Sequence, residues 1–407
     1  MNMKRLKLTP VPLIIGLAAL YFFNSAQASL DLKPNRNIVP TQTAVAPMPE
    51  PEVHGTDNTS VSHRIQVALI LDTSNSMDGL IGQAKSQLFT VVNELVKAQR
   101  DSTYADVEIA LYEYGNDGLS VSSGYVRKVM DFTTSIDDIS EKLFALSTNG
   151  GSEYCGKVIT TSLDQLEWTE SDSALKIIYI AGNEGFDQGP VNFREACASA
   201  TANHTIINTI FCGNYNEGAR TGWAEGAKLG NGEYMNIDSD RIVVMRSSRY
   251  DDQINQLNMQ LNNTYIYYGK KGRSYKLKQE TQDKNQGSIS LANSVVRAKS
   301  KSSRMYDNRT WDLVDAFKND STVLNDIDRS TLPDSLKSSS DDELKLAVNK
   351  NLNQRSEIQK QINDLYKERE TYLAKNIEVG EGETLGQRMV KSMKSQAKHK
   401  GFVFKEN

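Results

Sequence analysis

The sequence predicts an α/β protein: a doubly wound, mostly parallel sheet followed by an α-helical C-terminal region. Three observations predict it. The apolar runs "IQVALILD" (65–72), "ALKIIYIAG" (174–182) and "TIINTIFCG" (205–213) have the length and composition of strands buried on both faces. Segments with apolar residues at helical spacing separate them, the alternation expected of a sheet covered by helices on both sides. Beyond residue 310 only helical spacing remains.

In chain order, Lys4, Arg5 and Lys7 precede the apolar run Val11–Phe23, and Ala26-Gln27-Ala28 offers the small residues that a signal peptidase reads. The run falls short of the ~20 residues that span a bilayer. The expectation is therefore a cleaved signal peptide (1–28), an exported, periplasmic or secreted protein, and no transmembrane segment after cleavage. Residues 29–62 place five prolines among polar residues and read as an extended linker.

The α/β region follows over 63–268. After the first strand, Leu80, Ile81, Ala84, Leu88, Val91, Val92 and Leu95 mark a helix. "ADVEIALYEYG" (105–115) and "YVRKVMDF" (125–132) read as strands of a hairpin, and "SIDDISEKLFAL" (135–146) as a helix opened by a serine cap. A glycine-rich loop (147–156) leads into a helix ending near Trp168. Pro190 suits the first turn of a helix over 191–202. A small helix near 220–229, a short strand near 234–237 and a helix over 250–263 complete the region.

Residues 269–310 carry eleven Lys/Arg against three Asp/Glu, a net +8, with weak hydrophobic periodicity. They read as a basic linker, with an anionic envelope surface as a possible partner. The helical C-terminal region (311–407) contains a short amphipathic helix (310–320). Its segment 341–376 has Leu344, Val348, Ile358, Ile362, Leu365 and Tyr372 in a coiled-coil-like stripe interrupted by Asn351, Arg355 and Arg369. A partner helix is expected over 384–398, and "GFVF" (401–404) as a terminal strand or apolar plug.

The whole chain holds 407 residues with a net charge of −4. That balance, without a nucleic-acid-binding motif, argues against a nucleic-acid partner. The spacings of Cys155, Cys197 and Cys212 match no zinc pattern. In an oxidising compartment Cys197 and Cys212 are the expected disulfide pair, because they close the shortest loop, with Cys155 competing for either partner.

The functional signal lies where the first strand stops. Asp72-x-Ser74-x-Ser76 gathers one carboxylate and two hydroxyls between a buried strand and a long helix. A small hard cation takes such oxygens and keeps some waters. With so few carboxylates it remains only partly neutralised, and accepts an anionic oxygen from elsewhere. The pattern and its place at the strand end resemble the first motif of the metal-ion-dependent adhesion site of von Willebrand factor type A domains, in the form of a bacterial exported protein. The resemblance covers about 63–268. It implies that Ser74 and Ser76 bind Mg²⁺ (or Mn²⁺ or Ca²⁺) directly and that Asp72 acts through water. It also implies that Ser152, in "NGGSEYCG", stands for the usual threonine of the second motif. At the third motif, where Thr-Asp-Gly is usual, the chain reads "YIAGNEGF". Gly182 or Asn183 falls at the aspartate. Three alternatives stay open there: Asn183 supplies a neutral oxygen, Glu184 reaches in, or no metal binds.

The function implied is that of an exported binding module, not an enzyme, whose metal engages an acidic side chain of a partner protein. Two alternatives stand beside it. One is a metal-dependent phosphotransferase or hydrolase with Asp72 as nucleophile, although Ser74 stands where such enzymes place a second aspartate. The other is a structural envelope assembly protein without metal. If the signal peptide is removed as expected, N-terminal sequencing of exported protein begins near Ser29; material still starting at Met1 contradicts it.

Overall fold

A computed structural model describes residues 63–237, 245–376 and 384–405. The expected signal peptide and proline-rich linker lie outside the described residues. The chain runs through β1 (Arg64–Asp72), α1 (Asp78–Leu95), β2 (Ala98–Arg100), β3 (Thr103–Tyr104), β4 (Asp106–Tyr114), β5 (Val126–Thr133), α2 (Ile136–Phe144) and α3 (Cys155–Gln165). It continues with β6 (Leu175–Gly182), α4 (Phe193–Ala202), β7 (Thr205–Cys212), α5 (Tyr215–Arg220), α6 (Trp223–Leu229), β8 (Asn231–Ile237) and α7 (Asp251–Asn262). Then come α8 (Gly272–Ile289), α9 (Leu291–Lys301), α10 (Leu313–Asn319), α11 (Asp341–Lys375), α12 (Leu385–His399) and β9 (Val403–Phe404).

Six strands form one sheet in the order β5-β4-β1-β6-β7-β8, parallel throughout except for the edge strand β5. Connectivity reverses on either side of β1, so the first strand lies in the middle and its carboxyl end faces the crevice where such sheets bind ligands. Side chains alternate along β1. Ile65, Val67 and Leu71 join a core with α1, α2, α7, α9 and α12, while Ala68 and Ile70 join a second core with α3, α4 and α6. Local signals start several helices. Ser135 caps α2 through the Asp138 N–H at 3.3 Å, and Ser340 with Glu343 closes a capping box on α11. α4 starts later than Pro190 suggested, because the Asn192 side chain caps it at Phe193.

Two expectations are corrected. Residues 269–310 are not a linker: they fold into α8 and α9, which pack against α2, α7 and α1. Their buried stripe is made of amides, not hydrocarbon, so hydrophobic spacing does not reveal it. Gln279, Gln282 and Gln286 are buried along α8. The Ser140 hydroxyl donates to Gln282 at 2.9 Å, and Gln286 donates to the Lys85 carbonyl at 3.1 Å. Much of the positive charge is used internally. Arg297, fully buried, pairs with Asp137 at 2.8 Å and with Asp283, and Lys301, also fully buried, pairs with Asp283 at 2.8 Å. The second correction concerns the cysteines. All three are free and buried. Cys197 belongs to the core on one face of the sheet and Cys212 to the core on the other, so the sheet separates them.

The helical C-terminal region closes over the same body. The interruptions in the α11 stripe are anchors: Arg355 pairs with Asp312 at 2.5 Å and Arg369 with Asp251 at 2.9 Å, all four side chains nearly dry. α12 lies against α1 and the sheet. Asn208 of β7 and Gln396 exchange amide hydrogen bonds of 3.0 and 2.6 Å, and Tyr179 of β6 donates to the Met389 carbonyl at 3.0 Å. "GFVF" docks as a strand, β9 pairing with β2 in a small three-stranded sheet with β3. No helix among the described residues is long and apolar enough to cross a membrane.

The Asp283 cluster gives a stability test. Burial alone would raise the Asp283 carboxyl, but Lys301 and Arg297 outweigh it and hold it well below the usual carboxylate range. Asp283→Ala leaves two buried cations short of a partner and is expected to cost about 3–5 kcal/mol in urea unfolding at neutral pH. A depressed carboxyl stabilises above its unfolded value near 3.8 and loses that contribution as pH falls toward the folded value. The gap between wild type and variant should therefore narrow below about pH 4.

Candidate functional site

Asp72 ends β1 at the middle of the sheet, and the chain must turn sharply there to start α1. The turn is fastened from both sides. The Thr73 N–H donates to the Tyr114 carbonyl at 2.9 Å and the Asn149 N–H to the Thr73 carbonyl at 3.0 Å. With Thr73 fully buried as the fastener, Ser74 and Ser76 are left to line the edge. Ser74 is buried, Ser76 exposed, and their hydroxyl oxygens lie 3.4 Å apart.

The loops that carry the three motifs, 72–79 (first), 147–155 (second) and 182–190 (third), come together. The Asn75 N–H donates to the Gly150 carbonyl at 3.2 Å, joining the first loop to the second. Asn183 Nδ2 donates to Ser76 Oγ at 2.9 Å, joining the third to the first. The Glu153 N–H donates to Gln188 Oε1 at 2.6 Å, joining the second to the third. A fourth loop, after β4, takes part unannounced by any motif: the Asp117 N–H donates to the Asn149 carbonyl at 3.2 Å.

Each expected residue now has a place. The Asp72 carboxylate is fully buried; Oδ1 accepts the Ser74 N–H at 2.7 Å, while Oδ2 has no hydrogen-bond partner. Of the two residues aligned with the usual third-motif aspartate, Gly182 has no room for a side chain. A Cβ there would lie 2.5 Å from Tyr114 Oη and 3.1 Å from Asp72 Oδ2. Asn183 is the one whose side chain reaches the first loop, and its Oδ1 is buried without a donor. Ser152 is half-buried on the second loop. Glu184 is exposed at the rim, and its carbonyl accepts Trp223 Nε1 at 2.7 Å. Sequence reasoning missed Glu153. It is buried beside Ser152, and Ser74 favours the charged form of both its carboxylate and that of Asp72.

No family model and no curated protein matches this chain. Solved structures of von Willebrand factor type A domains and related proteins do match part of it. BatB of Bacteroides thetaiotaomicron is 16% identical over 43% of this chain and 90% of its own, with a TM-score of 0.33. A von Willebrand factor type A protein from Catenulispora acidiphila is 18% identical over 43% of this chain and 39% of its own, with a TM-score of 0.32. Proximal thread matrix protein 1 from the mussel byssus, described with a zinc-occupied adhesion motif, is 10% identical over 44% of this chain and 43% of its own, with a TM-score of 0.32. What the site can do here rests on its own residues.

Two buried carboxyls dominate the electrostatics of the edge. Burial pushes the Asp72 carboxyl up to about 8, with the charges of Glu153 and Glu184 acting in the same direction against its hydrogen bonds to Ser74. Burial, then the Glu184 charge, pushes Glu153 up to about 7. A dry carboxylate oxygen without a donor is costly, and a divalent ion would offset that cost. The oxygens are hard ligands, carboxylate, hydroxyl and amide, which suits Mg²⁺, Mn²⁺ or Ca²⁺. Among the described residues no group of three or more His, Cys, Asp or Glu could hold a metal ion, so neutral oxygens must supply part of any shell.

The raised carboxyl carries a testable sign. A folded value above the unfolded 3.8 stabilises fully below about pH 4 and loses that contribution as pH rises through about 8. At pH 7.5 in EDTA, Asp72→Asn should therefore be more stable than wild type, on the order of a few kcal/mol. The advantage should vanish near pH 4, as followed by thermal unfolding.

Proposed function

We propose that this chain is a protein-binding module, exported as its N-terminus suggests, that engages a partner through a divalent cation at the carboxyl edge of the sheet. Ser74 and Ser76 would bind the ion directly, Asp72 directly or through water, and Ser152 and Asn183 would flank it, with Glu184 at the rim. Mg²⁺ or Mn²⁺ suits the oxygen set, and the partner would supply an acidic side chain to complete the shell. The observation that carries this reading is the buried, unpartnered Oδ2 of Asp72 beside two converging hydroxyls.

The bound ion would supply an electrophilic point at the surface; the protein's part is to hold the oxygens around it and leave one side open. Ser76 and Asn183 stand at that outer side, with Ser74 and Asp72 behind them. A role as a thiol enzyme finds no support in the cysteines. Burial raises all three thiols, Cys197 to about 12, so none is held as a thiolate nucleophile.

Calorimetric titration of Mn²⁺ into wild type should show a single saturable site, and Asp72→Ala should abolish it while the circular dichroism spectrum is retained. Partner capture from envelope extracts should be lost both in EDTA and with Asp72→Ala. Equal Mn²⁺ binding by wild type and Asp72→Ala would overturn the proposal.

A further inference from the structure

We infer that Glu153 is the carboxylate that takes the place of the missing third-motif aspartate, so that the cation is held between the first and second loops. This rests on the proposed metal site and adds a ligand that no motif assigns.

Glu153 is only 6% exposed, although it sits on a loop at the sheet edge. Buried acidic side chains are normally paired with a cation. The charged groups that bear on this one most, Glu184 and Asp117, are both negative. The Ser74 hydroxyl, itself a proposed ligand, lies on the same side and favours the charged form of its carboxylate. Gly115, at the end of β4, shows how near the two buried carboxylates come. A Cβ built there would lie 2.7 Å from Asp72 Oδ1 and 2.9 Å from Glu153 Cγ, so both acidic side chains pack over the same bare backbone. Glu153 is also fixed in position, since its N–H is held by Gln188.

The arrangement explains the asparagine. Two carboxylates crowded in a dry site repel each other unless a positive charge lies between them. Asp72 and Glu153 would together restore the two-carboxylate count of the usual site while leaving the outer position open to the partner's oxygen. A further aspartate at 183 would add a third charge, whereas the neutral Asn183 donates to Ser76 and holds its hydroxyl in place. The negative charge has moved from the third loop to the second, one residue beyond Ser152. Metal binding would remain strong in Asn183's presence because the charge count is kept.

The test is Mn²⁺ titration of the full chain by calorimetry, with thermal unfolding in EDTA as a check on folding. Glu153→Gln, which keeps shape and removes charge, should weaken Mn²⁺ binding at least tenfold while leaving the EDTA melting temperature equal or higher. Adding Asn183→Asp to Glu153→Gln returns a carboxylate from the third loop and should recover most of the affinity. If Glu153→Gln binds Mn²⁺ as wild type does while Asp72→Ala does not, the metal site stands and the role of Glu153 is refuted. A loss that Asn183→Asp fails to repair means that a third-loop carboxylate cannot stand in for Glu153, and refutes the exchange of one for the other. If wild type binds no Mn²⁺, this inference and the proposed metal site fall together.

Discussion

A parallel sheet must be covered on both faces, because neither face carries the polar side chains that water requires, and the architecture of this chain follows from meeting that need. One face is served locally, by α3, α4 and α6, the helices that connect the strands. The other face needs more than α1 and α2, and the missing cover comes from the far end of the chain. Leu385, Met389 and Met393 of α12 are buried there, each worth about 1.5–3 kcal/mol. The entropy of closing a long intervening loop grows by only about 0.6 kcal/mol per doubling of its length. Burial wins by a wide margin, so a helix from the C-terminal region completes a core begun at residue 65.

Covering the sheet also determines where chemistry can occur. With both faces sealed, the ends of the strands are the remaining approach, and the reversal of connectivity beside β1 opens a crevice at its carboxyl end. Asp72 stands there with its side chain turned into the body of the protein and one oxygen left without a donor. An apolar residue or an asparagine would be easier to bury. The retention of a dry carboxylate beside two hydroxyls, with a second buried carboxylate at Glu153, is a local sacrifice of stability that a bound cation would reverse.

Much of this was legible in the residues, and the failures have definite causes. The apolar runs placed β1, β6 and β7, and the hydroxyl cluster marked the sheet edge where the three loops meet. α8 was hidden because its inner face is a stripe of glutamines, and hydrocarbon periodicity does not register an amide seam. The Cys197–Cys212 pairing failed because sequence distance says nothing about which face of a sheet a residue occupies. Arg355 and Arg369 looked like flaws in a coiled-coil seam, but they are the residues that fix α11 to the body through Asp312 and Asp251. At the site, Asn183 could be told from Gly182 only by the close approach of Tyr114 and Asp72. Glu153 matched no motif at all; its burial against Ser74 and Asp72 is a property of how the loops fold together.

The central claim is that the oxygens at the end of β1 form a cation site, and locating the ion tests it most directly. A crystal of the protein grown with Mn²⁺, measured for anomalous scattering, should show a peak about 2.0–2.3 Å from the hydroxyl oxygens of Ser74 and Ser76, close to the distances of hard divalent ions. The Asp72 carboxylate should lie within one water of it. A well-ordered edge with those side chains resolved and no anomalous density at saturating Mn²⁺ would contradict the account.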